Sequence, residues 1–323
     1  MQSIDLFESE IALIFDCLLH GFEIQLRRKV RLDTTEVQLR NYIRYSNWIS
    51  EFIGASREWY WLLNLPDRDY CPRIALFAQC WSKHFDRQNV GHFEGFLYRN
   101  MPEILFDVAQ GLLSPRYKRK KYDKAYQEKE RIEQLKIKLN ALVEKKSRLL
   151  PIRFELYYHR EYVGDISSLE MSEHLHQFTK EMKNHRNFIL SERDQNKQEM
   201  EILFYARVTE QGAREGHFHT HFLVILDGKY HRIDYRFRTA ASLLWEKITT
   251  GRGYLSQHQP EKESYAARWN INGQIVERTD TGKLDLLFNS VAPYLAKIGV
   301  DSKYNQYLRI KPLGFDAFAC SHQ

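Results

Sequence analysis

Cysteine is scarce. Cys17, Cys71, Cys80 and Cys320 are the only four in 323 residues, and no two form a Cys-x-x-Cys pair. That argues against a structural zinc site and for a reducing compartment. Long apolar runs are missing too: none approaches the roughly eighteen residues that a membrane-spanning helix needs, and Met1-Gln2-Ser3-Ile4-Asp5 lacks the basic start of a signal peptide. The expectation is a cytoplasmic chain with no membrane partner. No Gly-x-x-x-x-Gly-Lys-Ser/Thr loop appears, so a nucleoside triphosphate-driven motor is not expected here.

What is present is a folded-protein composition, 43% hydrophobic and 14% aromatic, long enough for two domains. The net charge of +6 is unevenly placed. Ser114 to Leu149 holds 13 Lys and Arg against 5 Asp and Glu, leaving 35 against 37 elsewhere. This segment opens with Arg116-Tyr117-Lys118-Arg119-Lys120-Lys121 and carries Ile132, Leu135, Leu139 and Leu142 at helical spacing. It reads as a basic helical linker over 114–149. Arg116, Lys118, Arg119, Lys120 and Lys121 are candidates for holding a phosphate backbone, and the apolar stripe for packing on a neighbour.

Before the linker, 1–113 reads as a mainly helical domain of unknown role. Helical spacing runs over Ile4 to Leu26, Thr35 caps Glu36 to Ile53, and Arg73 to Phe85 continues the pattern. Trp48, Trp59, Tyr60, Trp61 and Trp81 fit a core better than a stacking platform. After the linker, 150–323 changes character. Strands are expected at Ile152 to Tyr158 and Ile202 to Val208, with helices at about Ser168 to Leu190 and Phe237 to Thr249. Tyr265 to Ile271 and Gln274 to Arg278 flank Asn272-Gly273, a hairpin signal. The fold class expected is α+β, an antiparallel sheet with helices on one face.

The chemistry concentrates in Gly216-His217-Phe218-His219-Thr220-His221, followed by the apolar run Phe222 to Leu226 and Asp227-Gly228. Alternation along a strand puts His217, His219 and His221 on one face, where imidazoles can hold a divalent ion. A His-x-His pair alone is more often merely hydrogen-bonded, so two further features matter. Glu210 ends the preceding strand and, across a hairpin, falls beside His219 or His221; a carboxylate with two imidazoles suits Mn²⁺ or Mg²⁺. Tyr294 and Lys297 stand one helical turn apart and reach one site together, the phenol as nucleophile and the ammonium as a partner for developing charge.

In that order, these residues resemble the HUH endonuclease superfamily, most closely the single-tyrosine replication initiators of filamentous-phage and prophage type. The pieces are Pro151 to Tyr157, Glu210, His219 to Gly228, Trp245 to Gly253, and Tyr294 to Lys297, and the resemblance covers roughly 150 to 312. It implies a central antiparallel sheet of about five strands. It further implies that His219, His221 and Glu210 hold the metal, with His217 a supplementary ligand or support. Tyr294 would cut single-stranded DNA at an origin or hairpin through a 5′-phosphotyrosine intermediate. Rolling-circle replication of a phage, prophage or plasmid-like element follows, with a separate host helicase and polymerase as partners. A transposase or mobilisation relaxase would use the same residues, and a non-catalytic DNA-binding regulator would use only the basic segment. Two departures stand out. Thr220 occupies a position usually apolar in the family, leaving His217 and His219 around Phe218 as an alternative pair. Tyr304 and Tyr307 are competing nucleophiles.

Overall fold

The structure is a computed structural model that describes residues 7–31, 33–85, 93–184, 201–212, 216–256, 271–296 and 307–321, with only the backbone at 121, 124 and 125. The chain divides into two units: Met1–Asp123 with Ala213–Gly216 and Leu308–Gly314, and Lys124–Gly212 with His217–Tyr307 and Phe315–Gln323.

The first unit is helical: α1 (Glu8–Lys29), α2 (Glu36–Arg44), α3 (Trp48–Gly54), α4 (Ser56–Leu63), α5 (Pro72–His84) and α6 (Phe93–Leu113). Thr35 caps α2 as expected, with its side chain and that of Gln38 closing a reciprocal capping box. The helix expected from Glu36 to Ile53 breaks after Arg44, where the Ser46 hydroxyl donates to the Ile43 carbonyl (2.7 Å) and competes with continued helix. Trp59 and Phe52 are fully buried, as is Phe77, and the Trp59 indole nitrogen donates to the Phe52 carbonyl (2.8 Å). These rings fill the core; Trp61, by contrast, is exposed. A short strand β1 (Arg68–Tyr70) pairs with β7 (Ile310–Pro312), so part of the expected 150–323 span folds with the N-terminal unit. Arg309, next to β7, is buried against Asp16, which also binds Arg73.

Helix α7 (Pro115–Lys145) begins in the first unit and continues in the second. The second unit is α+β. Its six-stranded sheet has the order β5-β2-β4-β3-β8, with β6 also on β2: β2 (Arg148–Tyr158), β3 (Ile202–Gln211), β4 (Phe218–Asp227), β5 (Gly253–Ser256), β6 (Val276–Glu277) and β8 (Phe318–Cys320). Every ladder is antiparallel. The central strand β4 is buried at every residue, as a strand flanked on both edges and both faces must be.

Helices cover both faces, not the one expected. On one side Phe154 and Phe222 stack (5.1 Å between ring centres) beneath Phe178 of α8 (Ser168–Lys183) and Phe237 and Trp245 of α9 (Tyr235–Ile248). On the other, Leu223 and Ile225 share a core with Leu135, Leu139 and Leu142 of α7 and with Leu287, Val291 and Leu295. The stripe on α7 is therefore a packing face. The last three belong to a helix of mixed pitch: α10 (Thr281–Leu286) runs through a π-helical stretch (Leu287–Val291) into α11 (Ala292–Ala296). The Asn272-Gly273 turn forms, with Gly273 at φ 72°, but the strand after it pairs with Arg148 and Leu149 of β2. The arm expected over Tyr265 to Ile271 lies outside the described residues except for Ile271.

Candidate metal centre and tyrosine site

Strand register builds the centre. On β4, His219 and His221 point to the same face as Leu223. Across one ladder His221 stands opposite Glu155 of β2, and across the other His219 stands opposite Glu210 of β3. Thr220 points the other way and exchanges a hydrogen bond with Thr209 (3.1 Å), so its hydroxyl is satisfied away from the site. The departure at Thr220 thus leaves the imidazole face untouched.

Glu210, His219 and His221 are all buried and each offers a ligand atom within 4.8 Å of the others. The Glu210 Oε2 atom lies 3.3 Å from His221 Nε2 and 3.6 Å from His219 Nε2. Adjacent ligands of an octahedral ion with bonds of about 2.1 Å stand about 3 Å apart, so small shifts close this set around Mn²⁺ or Mg²⁺. His221 is the better anchored: its Nδ1 donates to Glu155 Oε1 (2.7 Å). A carboxylate behind a ligating imidazole fixes the tautomer that presents Nε2 to a metal. His219 instead lies flat on Tyr157, with ring centres 5.2 Å apart and planes 3° apart, and its buried Nδ1 has no hydrogen-bond partner among the described residues. The donor set fits a divalent ion.

His217 stands outside the close set, its ring 5.5 Å from that of His219. Gly212 makes room for it: a Cβ there would come within 2.9 Å of the His217 ring.

Sequence reading passed over Arg153, Glu155 and Tyr157, although a polar residue at every second position of a buried strand signals one polar face. Glu155 is their hub. It accepts from Arg153 Nη2 (2.8 Å), from His221 and from the Tyr157 hydroxyl (2.7 Å). Replacing it tests the support directly: Glu155→Gln is expected to weaken Mn²⁺ binding about 10- to 100-fold in calorimetry, as losses behind a metal ligand typically do.

Burial alone would drive His221 toward its neutral form. The hydrogen bonds to Glu155 and Glu210 outweigh it and push the imidazolium up to about 9. Burial likewise opposes charge on Glu210, yet its hydrogen bonds to His219 and His221 hold that carboxyl down at about 2. Because the His221 value is raised from 6.5, its contribution to folding is fully present below about pH 6.5 and is lost as pH rises through about 9. A metal held by this set would compete with this proton for His221 Nε2. Mn²⁺ affinity is therefore expected to rise with pH, by up to about tenfold per unit, and to level off near pH 9. Titrations from pH 6 to 9 that give a flat affinity would contradict this.

Tyr294 meets the centre from the helix. Its half-buried ring stands edge-on to His221, with centres 5.4 Å apart and planes at 88°, and the Arg153 guanidinium lies 4.3 Å over its face. Pro293 explains the local pitch. Proline has no N–H and crowds the carbonyl four residues back, here Asn289. The wider stretch Leu287–Val291, with Ala292 N–H bonded to the Leu287 carbonyl, accommodates that ring and sets the direction of Tyr294.

Other expected residues are placed as follows. Lys297 and Tyr304 lie outside the described residues, whereas Tyr307 is described and half-buried. Arg116, Lys118, Arg119 and Lys120 are exposed on the first turns of α7, while Tyr117 between them turns inward toward Glu23. They belong to the first unit and the metal set to the second. The side chain of Lys121 lies outside the description.

No family model, curated protein or solved structure matches this chain.

Among the described residues no helix is long and apolar enough to cross a membrane.

Proposed function

We propose that this protein is a divalent-metal-dependent, HUH-type DNA nickase and strand-joining enzyme that initiates rolling-circle replication of a phage, prophage or plasmid-like element. The observation that carries the reading is the half-open Tyr294 ring packed edge-on against a buried imidazole of a Glu/His/His ligand set.

Charge balance favours a phosphodiester as substrate. Arg153, Glu155, Glu210 and a protonated His221 sum to zero. A divalent ion that displaces the His221 proton leaves the set at one positive charge, which matches a single backbone phosphate. Buried charges are tolerated when they compensate one another, and an uncompensated one is costly. Glu210, His219 and His221 would hold the ion, whose chemistry is to polarise a phosphate oxygen and offset charge in the transition state.

The chain's own residues do the rest. The Tyr294 hydroxyl attacks phosphorus, forming an O–P bond as the bond to O3′ breaks. The phenol gives up its proton, and O3′ leaves and takes one up as a 3′-hydroxyl. The downstream strand remains on Tyr294 as a 5′-phosphodiester, which conserves the bond for later rejoining. Arg153 covers the face of the Tyr294 ring and is itself held by Glu155. Lys297, three residues on in the sequence, is the cation proposed to grip the phosphate. The exposed Arg116, Lys118, Arg119 and Lys120, with Lys121, would hold flanking DNA backbone. A host helicase and polymerase would supply unwinding and synthesis.

The test is incubation of 3′-labelled single-stranded oligonucleotides, hairpins included, with the protein and Mn²⁺. A denaturing gel should show label shifted to the mass of a protein adduct, and only with metal. No shift with any substrate would overturn the reading.

A further inference from the structure

The rings beside the metal centre do not stop at His219. His219, Tyr157 and Tyr254 step across β4, β2 and the edge strand β5, with centres 5.2 and 5.6 Å apart and successive planes only 3° and 16° from parallel. Register enforces this, since Tyr157 stands directly opposite Tyr254. His159, just past the end of β2, lies 4.9 Å from the Tyr254 ring at 35°. Exposure changes along the row. His219 is buried, Tyr157, His159 and His217 are half-buried, and Tyr254 is 40% exposed. Arg160, next to His159, is exposed.

A row of aromatic faces that opens to solvent at a sheet edge is poor value for folding alone, because its outermost ring gives up burial. For a nucleic acid it is well suited: every base has a flat face, and stacking on a sheet-borne aromatic ring is sequence-tolerant and contributes about 1–3 kcal/mol per base. We propose that Tyr254, backed by Tyr157 and flanked by His159, is a stacking platform for an unpaired base of single-stranded DNA next to the proposed cleavage site. The continuity of the row with the ligand set selects this occupant over an unrelated protein partner. The proposal deepens the nickase reading by saying where the strand lies, and it rests on that reading for the identity of the DNA.

The experiment needs no catalysis. A fluorescein-labelled dT oligonucleotide is titrated with the full chain in EDTA and followed by anisotropy. Tyr254→Ala is expected to weaken binding roughly 5- to 150-fold, the range that about 1–3 kcal/mol implies. Tyr254→Phe and Tyr254→Trp, which keep a flat ring, are expected within about twofold of the parent protein. An oligonucleotide of the same length with abasic residues throughout should bind the parent and Tyr254→Ala equally. Two results would overturn the platform: unchanged affinity of Tyr254→Ala for dT, or an equal loss on the abasic strand, which would mark a fold or backbone effect. Metal-dependent adducts without any effect of Tyr254 would sink the platform and leave the nickase standing. Tyr254-dependent binding without adducts would do the reverse.

Discussion

Tyr294→Phe is expected to abolish covalent protein–DNA adducts while leaving single-stranded DNA binding within about twofold of the parent. The substitution removes one oxygen and keeps the ring. The edge-on contact with His221, the Arg153 guanidinium over the face and the packing against the shared core therefore persist. What disappears is the nucleophile, and with it the only step that attaches DNA to this residue. Tyr294→Ala would be a poorer test, because the lost ring also opens a cavity beside Leu295 and Val291. Adducts that persist in Tyr294→Phe would pass the role to Tyr304 or Tyr307.

The second large effect concerns the ligands. His219→Ala combined with His221→Ala is expected to lower nicking by at least about a thousandfold, since two of the three metal donors vanish. Folding must be separated from chemistry here. His221 touches both Glu155 and Glu210, so its removal leaves two buried carboxylates with less compensation. His221→Ala should accordingly lower the melting temperature more than His219→Ala, whose described polar contact is with Glu210 alone. Chelation supplies the clean comparison. EDTA should silence the parent protein and added Mn²⁺ restore it, with no restoration in the double variant. Nicking indifferent to EDTA would contradict the metal centre.

Much of this site was legible because it depends on short-range periodicity. Alternation alone put His219 and His221 on one face, and antiparallel pairing brought Glu210 opposite His219. Tyr294 was legible in a different way, from its spacing to Lys297 and a resemblance; the geometry of the π-helical stretch that aims it follows from Pro293 and was not read in advance. Glu155 and Arg153 went unassigned because alternation marks a polar face on their strand but not what that face meets. Their partners, His221 and Tyr294, are far along the chain, and pairing register is not written in local sequence.

The same limit explains the fold differences. Asn272-Gly273 makes its turn locally, yet which strand Val276 joins depends on β2, more than a hundred residues earlier. Strands β7 and β8 are three residues each, too short to show a period, so neither was anticipated. Helices on both faces were missed for a related reason. The stripe Leu135, Leu139, Leu142 announces a buried face but not the sheet surface, around Leu223 and Ile225, that buries it.

The most direct measurement is to trap the adduct formed with single-stranded DNA and Mn²⁺, digest both components, and locate the modified residue by mass spectrometry. The account predicts one peptide, containing Tyr294, with a 5′-linked deoxynucleotide on the phenolic oxygen. A nucleotide on any other residue, or none under conditions where the DNA is bound and metal is present, would contradict it.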